Sequence, residues 1–347
     1  MKKKIAVILF NLGGPDNLNS VKPFLFNLFN DKAIIQAPKI IRYFIAKLIS
    51  NKREQIAKDI YAQIGGKSPI YDLTILQAKE LEKLLHKEKE KYKVFISMRY
   101  WKPFVSTTIK NVKKWNPNEI ILLPLYPQYS TTTSSSSINS WFEEAKNSLE
   151  KTKTKIICCY PKDKKFISAH VKNLKEKLNK VKKIDRNFNN SILLFSAHGL
   201  PEKIIKKGDP YQYQVELSVK HIMSELNINI HHIICYQSKV GPLKWIGPST
   251  EEIIVENSKI KKNIILIPIA FVSEHSETLV ELDIEYKKLA KDNGCENYYR
   301  VPALGTNLDF IAALSSLIKK QAKAKIINER ICPSYCKKCF YNEEIKI

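Results

Sequence analysis

The sequence contains little glycine, and its glycines do not form a phosphate-binding loop. Only ten of the 347 residues are glycine, and neither G-x-G-x-x-G nor G-x-x-x-x-G-K-[ST] occurs. The pairs Gly13-Gly14 and Gly65-Gly66 are too isolated to surround a pyrophosphate. The sequence therefore argues against a nucleotide as the ligand.

Arginine is also scarce, although the chain is strongly basic. The formal net charge is +24, but only six of the 58 basic residues are arginine, and the lysines are spread along the chain in short runs. A protein that reads duplex nucleic acid is expected to use arginine forks on base edges. We interpret the charge as a solvated surface with no nucleic acid partner; a basic face would also attract anionic lipid or a substrate with carboxylates.

Long apolar runs and a disulfide framework are absent as well. The longest runs, such as 5–12 and 264–271, fall far short of the roughly 20 residues that span a bilayer. The basic start leads into Asn11-Leu12-Gly13-Gly14 and not into a cleavage site, so we interpret the first run as a strand and not as a signal peptide. Seven cysteines are too few for a disulfide-rich fold of this length, and reduced thiols are expected.

Short apolar runs alternate with longer amphipathic segments, which is the pattern of an α/β protein with parallel sheets. Strands are predicted over 5–12, 94–98, 120–126, 156–159, 192–196, 230–236, 264–271 and 298–301. Helices are predicted over, for example, 73–86, 166–178, 215–226 and 277–290. We therefore predict two similar Rossmann-like domains over 1–170 and 171–330, each with a parallel sheet of about four strands flanked by helices, and a cysteine-rich tail over 331–347.

Unusual polar residues follow the ends of four predicted strands, over 11–16, 127–130, 196–201 and 273–277. In open α/β sheets the ligand crevice forms at the carboxyl ends of the strands. Two such edges that face each other would form one interdomain cleft. Such a cleft suits a flat apolar ligand with polar chemistry at its centre.

Seven blocks of residues stand out along the chain. They are Phe10-Asn11-Leu12-Gly13-Gly14-Pro15-Asp16, Ile64-Gly65-Gly66-Lys67-Ser68-Pro69-Ile70, Met98-Arg99-Tyr100, Leu125-Tyr126-Pro127-Gln128-Tyr129-Ser130, Ser196-Ala197-His198-Gly199-Leu200-Pro201 with Lys207-Gly208-Asp209-Pro210-Tyr211, Gln237-Ser238-Lys239-Val240-Gly241-Pro242, and Phe271-Val272-Ser273-Glu274-His275-Ser276-Glu277-Thr278-Leu279. In order and spacing, from about residue 4 to residue 318, they resemble the signatures of the ferrochelatase family. The resemblance implies a lyase that inserts ferrous iron, Fe2+, into protoporphyrin IX in the final step of haem biosynthesis.

The resemblance assigns the metal chemistry to three residues of the second half. His198 matches a histidine that takes protons from the pyrrole nitrogens or touches the metal, and imidazole suits either task. Glu277 matches the metal-site carboxylate opposite that histidine, so the pair is implied to handle the iron. His275 resembles the family's second active-site histidine.

A row of acidic residues accompanies them. Glu281 and Glu285 follow Glu277 at intervals of four on a predicted helix. In the family such a row, together with Glu274, resembles a path for iron entry or proton exit. A solvated acidic face is the alternative for Glu281 and Glu285.

Six further side chains are candidates for binding the porphyrin. They are Phe26, Arg99, Tyr126, Ser130, Trp245 and Phe271. Aromatic walls would grip and bend the ring, and a guanidinium would hold a propionate. Core packing is the alternative for each aromatic residue, and an internal salt bridge is the alternative for Arg99.

The sequence departs from the family pattern in two places. Many members carry arginines before the Ile-Gly-Gly block, where this chain has Ala62-Gln63, so the propionate contact expected there is absent. The tail resembles that of members with a 2Fe-2S cluster, which needs four thiolates. Cys332, Cys336 and Cys339 would supply three, and Cys158 or Cys159 the fourth, because Thr131 occupies the position used in animal members. A zinc site or thiols without a ligand are the alternatives.

Residues 37–50 correspond to the active-site lip of the family. They are rich in Ile, Tyr and Phe and contain Lys39, Arg42 and Lys47. Such a segment would rest on the inner face of a membrane and receive an insoluble porphyrin, so we expect a cytoplasmic protein with peripheral membrane contact; packing against the domain is the alternative.

Coproporphyrin as the substrate and a non-catalytic porphyrin or haem carrier are the alternative functions, and both a monomer and a homodimer are compatible with the sequence.

Overall fold

The computed structural model describes residues 2–239, 241–324 and 331–340 of the chain. These residues form two compact units. The first contains the described residues among 1–159 and 314–329, and the second contains those among 160–313 and 330–347.

The first unit contains a parallel sheet of four strands in the order β2-β1-β3-β4. The strands are β1 (Lys4–Asn11), β2 (Lys91–Met98), β3 (Glu119–Pro124) and β4 (Lys153–Ile156). The helices are α1 (Val21–Phe29), α2 (Lys39–Ala62), α3 (Ile70–Leu85), α4 (Val105–Trp115) and α5 (Ser134–Ala145). All six residues of β3 are buried, which is typical of a parallel strand covered on both faces.

The second unit repeats this arrangement, with a parallel sheet in the order β6-β5-β7-β8. The strands are β5 (Ser191–His198), β6 (His231–Gln237), β7 (Asn263–Pro268) and β8 (Tyr298–Arg300). The helices are α6 (Lys164–Val181), α7 (Glu202–Lys206), α8 (Tyr211–Leu226), α9 (Thr250–Lys259), a π-helix over Glu277–Glu285 and α10 (Tyr286–Asp292). A further helix, α11 (Leu308–Lys323), begins in this unit, and its residues from 314 onward belong to the first unit. The prediction of two four-stranded parallel sheets flanked by helices is therefore confirmed.

The units divide at a different place from the predicted domains. The predicted boundary after residue 170 lies inside α6, and the structure divides at residues 159 and 160 instead. Asp163 caps this helix by accepting hydrogen bonds from the amides of Lys165 and Phe166. Its apolar face, which includes Leu174 and Leu178, is buried, so the lysines of this segment lie on the polar face of a packed helix.

The helix predicted over 277–290 also differs in type. Its first nine residues form a π-helix, in which the amide of Tyr286 donates to the carbonyl of Glu281 five residues earlier. The apolar spacing of so short a segment does not separate a π-helix from an α-helix. In the part of the chain that the structure describes, no helix is both long and apolar enough to cross a bilayer.

Candidate active site

His198 is the last residue of β5, at the carboxyl edge of the second sheet. Its Nδ1 lies 2.7 Å from the carbonyl oxygen of Gly199. Because a carbonyl only accepts hydrogen bonds, this contact places the proton on Nδ1 and leaves the lone pair of Nε2 available. A side chain at Gly199 would come within 2.9 Å of the Gln237 carbonyl, so glycine is required for the close passage of the two chain segments.

Glu277 lies between two imidazole rings. Its Oε1 is 4.0 Å from Nε2 of His198, and its Oε2 is 3.7 Å from Nε2 of His275. His275 is buried and directs its Nδ1 to the carbonyl of Ser273 at 3.2 Å. The resemblance placed His198, His275 and Glu277 in one site, and the fold of the second unit brings these three side chains together.

The charges in this group depend on one another. Burial alone would raise the pKa of Glu277, but the positive charges of His198 and His275 lower it below its ordinary value. Burial alone would lower the pKa of His275, but the nearby negative charge of Glu277 raises it above its ordinary value. Glu277 is therefore an anion near neutral pH, and it favours the protonated form of His275.

Glu281 is the next carboxylate of the row and is held by donors from two other elements. Nε2 of Gln237 donates to it at 2.9 Å, the Ser238 hydroxyl at 2.8 Å and the Tyr286 hydroxyl at 3.0 Å. Burial and the neighbouring charge of Glu277 nevertheless raise the pKa of Glu281. A carboxyl group with a raised pKa beside one with a lowered pKa can carry a proton away from its neighbour.

The row ends at an open cavity of about 620 Å³. The exposed Glu285 and the largely buried Tyr286 line this cavity. Three glutamates of α9, which are Glu251, Glu252 and Glu256, line it as well. Because the Tyr286 hydroxyl donates to Glu281, the cavity wall and the interior carboxylates are in direct contact. The three carboxylates at 277, 281 and 285 thus extend from the imidazoles towards solvent.

Glu274 is placed differently from the rest of the row. Its Oε1 accepts from Nη1 of Arg300 at 2.8 Å and from the amide of Ala303 at 2.9 Å. Burial alone would raise the pKa of Glu274, but Arg300 lowers it. Glu274 is therefore an ion-paired carboxylate, and its charge is already compensated.

Two of the predicted porphyrin-binding aromatics lie beside the histidines. The Phe271 ring is 4.6 Å from the His275 ring, and the Trp245 ring is 6.4 Å from the His198 ring, measured between centroids. Both side chains are only partly buried.

The other four candidates belong to the first unit. Arg99 pairs with Asp31, with Nη2 and Oδ2 at 2.9 Å, and donates from Nε to the Ser136 hydroxyl at 2.7 Å. The internal salt bridge considered as the alternative for Arg99 is thus present, although a quarter of its side chain is exposed. Ser130 is buried and contacts the Thr132 hydroxyl at 2.9 Å. Phe26 and Tyr126 are partly buried, and Phe26 packs edge-on against Tyr43 of α2 at 5.3 Å.

Sequence reasoning missed several residues that form hydrogen bonds or ion pairs with the candidate site residues. Asp31 and Arg300 lie outside the recognised blocks, and no local pattern marks either residue. Gln237 and Ser238 lie inside a block, but nothing in the sequence connects them with Glu281. The left-handed backbone of Ser238, with φ at +63°, is visible only in the structure.

The three tail cysteines lie together in the second unit. Cys332, Cys336 and Cys339 are buried, and Nε2 of Gln214 donates to the Cys332 sulfur at 3.1 Å. The expected fourth ligands, Cys158 and Cys159, belong to the first unit, and their sulfurs are 3.3 Å apart. Among the residues at 2–239, 241–324 and 331–340, no group of three or more His, Cys, Asp or Glu is arranged to hold a metal ion, so the tail as described does not fit a four-thiolate cluster.

Comparison with known proteins gives a consistent result over nearly the whole chain. The family model described as Ferrochelatase matches residues 4–322. The Ferrochelatase of Pelagibacter ubique (strain HTCC1062) is 59% identical over 347 residues, which cover 98% of each chain. The Ferrochelatase of Rickettsia bellii (strain OSU 85-389) is 50% identical, over 97% of this chain and 95% of that protein.

Solved structures agree on the fold. SirB from Bacillus subtilis, with Fe3+, has a TM-score of 0.55 at 12% identity and covers 92% of this chain and 96% of its own. The sirohydrochlorin chelatase SirB from Bacillus subtilis subspecies spizizenii, in complex with cobalt, has a TM-score of 0.51 at 13% identity, with the same coverage. At these identities the likeness shows the fold alone, whereas the family model and the curated relatives match in sequence. This chain belongs to the ferrochelatase family.

Proposed function

We propose that this chain inserts ferrous iron into protoporphyrin IX and forms protohaem in the last step of haem biosynthesis. The observation that carries the proposal is the position of Glu277 between His198 and His275, at the carboxyl edge of a sheet in a chain of this family. The reaction exchanges one Fe2+ for two pyrrole protons, so no electron is transferred. The site must therefore accept protons and offer the metal weak ligands.

His198 is the proposed proton acceptor. Its Nδ1 contacts the Gly199 carbonyl, so Nε2 carries the lone pair that accepts a pyrrole proton or contacts the iron. Glu277, 4.0 Å away, is an anion that would stabilise the resulting imidazolium. Its carboxylate and the imidazole nitrogen together form a mixed oxygen and nitrogen ligand pair for Fe2+.

The carboxylate row is the proposed route between the site and solvent. Glu281 borders Glu277 and has a raised pKa, so it can receive a proton from the site. Glu285 stands at the cavity, where protons would leave or hydrated iron would arrive. In this scheme the negative charge of Glu274 helps to raise the pKa of His275. Glu274 does not itself transfer a proton or bind iron, because it is paired with Arg300.

The porphyrin would bind against partly exposed aromatic side chains. We propose that Trp245 and Phe271 of the second unit contact the ring, and that Phe26, Tyr126 and Ser130 of the first unit are further porphyrin-binding residues. Contacts with the periphery of the ring would supply the strain that bends it, on the order of 1–5 kcal/mol. The exposed part of the Arg99 guanidinium would donate hydrogen bonds to a propionate, while Nη2 stays paired with Asp31.

An anaerobic assay of the purified protein tests this proposal. Ferrous iron is mixed with protoporphyrin IX or coproporphyrin, and the visible spectrum is followed beside a known chelatase. We expect the free-porphyrin spectrum to change to that of the iron complex with protoporphyrin IX. If neither porphyrin is metallated while the known chelatase succeeds, the proposed function is wrong; preferential turnover of coproporphyrin would change the substrate.

Two variants test the residue assignment. His198→Ala and Glu277→Gln should each reduce insertion by about a hundredfold or more, because each removes a group that takes part in proton transfer. Glu225→Gln makes the same chemical change on the exposed side of α8 and should stay within about twofold of the parent. Full activity in the first two variants would favour a non-catalytic porphyrin carrier or a different site.

The lip at residues 37–50 is the proposed membrane contact. It lies at the start of α2, where Ile40, Phe44 and Leu48 follow one another at intervals of four and are exposed by 73, 64 and 69%. An apolar stripe with flanking basic residues suits the surface of an anionic membrane. The proposed location is the cytoplasm, with peripheral contact at the inner face of the membrane.

The 2Fe-2S cluster that the resemblance allows has no part in this proposal. The described residues bring three thiols together and not four, and the reaction needs no electron carrier. Assays of iron and acid-labile sulfide on protein purified without oxygen would detect a cluster if one assembles.

A further inference from the structure

Arg300 connects two carboxylates that flank the proposed active site. It is the last residue of β8, and only 9% of its side chain is exposed. Nη1 lies 2.8 Å from Oε1 of Glu274, and Nη2 lies 2.7 Å from Oδ2 of Asp283. Each terminal nitrogen therefore serves a different acid, in a geometry that only a guanidinium provides.

The two acids lie on either side of Glu277 in the chain. Glu274 precedes the π-helix, and Asp283 lies within it. The same part of the chain gives further support, because the Tyr298 hydroxyl donates to the Leu282 carbonyl at 2.7 Å and the Ala303 amide donates to Glu274 at 2.9 Å. The π-helix is thus tied to β8, which pairs in parallel with the buried β7.

The guanidinium of Arg300 is buried, whereas the side chains of Glu274 and Asp283 are 21 and 38% exposed, so the loss of the bridge would be felt mainly at Glu274. Burial alone would lower the pKa of Arg300, but Asp283 and Glu274 raise it. Removing the guanidinium would leave Glu274, in its largely buried position, and the more exposed Asp283 without their ion-pair partner, and an uncompensated charge is unfavourable mainly at the first of them. The segment would then shift to rehydrate them, and Glu277 and Glu281 would move with it.

A π-helix also needs such support more than an α-helix does. It is rare and occurs mostly as single turns held by tertiary contacts, frequently at functional sites. Here the π-helical turns carry both Glu277 and Glu281. A change to α-helical winding would rotate these carboxylates relative to His198.

We propose that Arg300 is a positioning residue for iron insertion, and that by bridging Glu274 and Asp283 it keeps the π-helix wound so that Glu277 faces His198. The inference rests on the proposed function of that site. It assigns to Arg300 no contact with the porphyrin or the iron.

The test compares Arg300→Gln, Arg300→Lys and the control Arg186→Gln, which changes an exposed arginine of the same unit. Insertion kinetics are measured against both substrates, and porphyrin binding is measured separately by fluorescence quenching. For Arg300→Gln we expect kcat to fall about tenfold or more and KM for Fe2+ to rise, with porphyrin affinity unchanged. Arg300→Lys keeps the charge but not the two-armed geometry and should lose less activity, whereas Arg186→Gln should match the parent.

Amide hydrogen exchange supplies a readout that does not depend on activity. We expect exchange over residues 277–285 to accelerate about tenfold or more in Arg300→Gln, while β5 and β7 keep their protection. If Arg300→Gln fails to fold, Asp283→Asn removes one arm of the bridge and should show the same pattern more weakly. The proposal would be overturned if kcat and hydrogen exchange stayed unchanged in Arg300→Gln. It would also be overturned if every kinetic parameter and the protection of the whole unit were lost to the same degree. If the parent protein inserts no iron, the proposed function fails, and local exchange still tests the bridge.

Discussion

The charge state of His275 is set by a residue two positions further along the chain. Glu277, whose Oε2 lies 3.7 Å from Nε2 of His275, supplies a negative charge that raises the pKa of this buried imidazole. Glu277→Gln would remove this negative charge. The burial of His275, which lowers its pKa, would remain. We therefore predict that the pKa of His275 falls in Glu277→Gln, while the charge of Glu274 continues to raise it.

Histidine NMR measures this change directly. The seven histidines are labelled, the His275 signal is assigned by its loss in His275→Gln, and its chemical shift is followed against pH. Glu225→Gln serves as the control and should leave the titration in place. A pKa of His275 that stays the same without Glu277 would mean that the pair does not interact in solution.

At the scale of elements, α6 contains a buried titratable group outside the proposed site. His170 packs edge-on against Phe166 at 4.8 Å, and burial lowers its pKa from 6.5 to about 3. The folded protein binds this proton less readily than the unfolded chain does, so stability falls as the pH falls below 6.5. At pH 5 the loss is about 2 kcal/mol.

Urea unfolding at pH 7 and pH 5 tests this effect. The free energy of unfolding should decrease between pH 7 and pH 5, and His170→Leu should make this decrease smaller by about 2 kcal/mol, whatever its effect on stability at pH 7. His86→Leu, at the exposed end of α3, should leave the decrease unchanged. An equal pH dependence in the parent and in His170→Leu would show that His170 protonates freely in the folded state.

The tail is a second element, and one of its contacts with the rest of the unit is made at Gly208. The Lys338 amide donates to the Gly208 carbonyl at 2.9 Å, and a side chain at Gly208 would lie 2.7 Å from the Lys337 nitrogen. Gly208→Ala should displace the tail and expose its buried thiols. We predict a reaction with a thiol reagent that is about tenfold faster or more, measured by the labelling rates of Cys336 and Cys339.

Gly294→Ala is the matched control. Gly208 and Gly294 have nearly equal positive φ angles, +95° and +96°, so alanine costs similar backbone strain at either position. Only Gly208 contacts the tail. Equal acceleration in the two variants would attribute the change to strain and not to the tail contact.

At the scale of the whole molecule, a basic protein with an exposed apolar stripe is expected to prefer an anionic surface. The net charge is +24, and the stripe at the start of α2 adds apolar area that can enter a bilayer. We predict that Ile40→Asn combined with Phe44→Asn weakens binding to phosphatidylglycerol vesicles about tenfold or more, since each side chain contributes on the order of 1.5–3 kcal/mol when buried.

Cosedimentation at low and at moderate salt checks this prediction. Ile260→Asn changes an apolar residue that is 63% exposed outside the lip, and it should bind as the parent does. Added salt should weaken all variants together, because it screens the lysines and not the stripe. Identical binding by the lip variant and the parent would leave charge alone as the cause of any association.

The sequence indicated much of the fold because burial leaves a periodic pattern. Eight apolar runs marked eight strands, although β4 lies three residues before its predicted position, as Lys153–Ile156. The polar residues after β5 and β7 do lie at one sheet edge, since parallel strands bring their carboxyl ends together. The sheet order and the division of the units at residues 159 and 160 could not be read from the sequence, because both depend on contacts between distant segments.

The sequence by itself determined the α/β architecture, the family and the placement of His198, His275 and Glu277 next to strand ends. These properties follow from local spacing and from residues at fixed positions. Tertiary structure alone decided the partners of the charged groups: Arg300 binds Glu274 across 26 positions, Arg99 binds Ser136 across 37, and Gln237 binds Glu281 across 44. The physical reason is that the pKa and the orientation of a buried acid depend on which donors the fold brings within about 3 Å, and no local pattern records that distance.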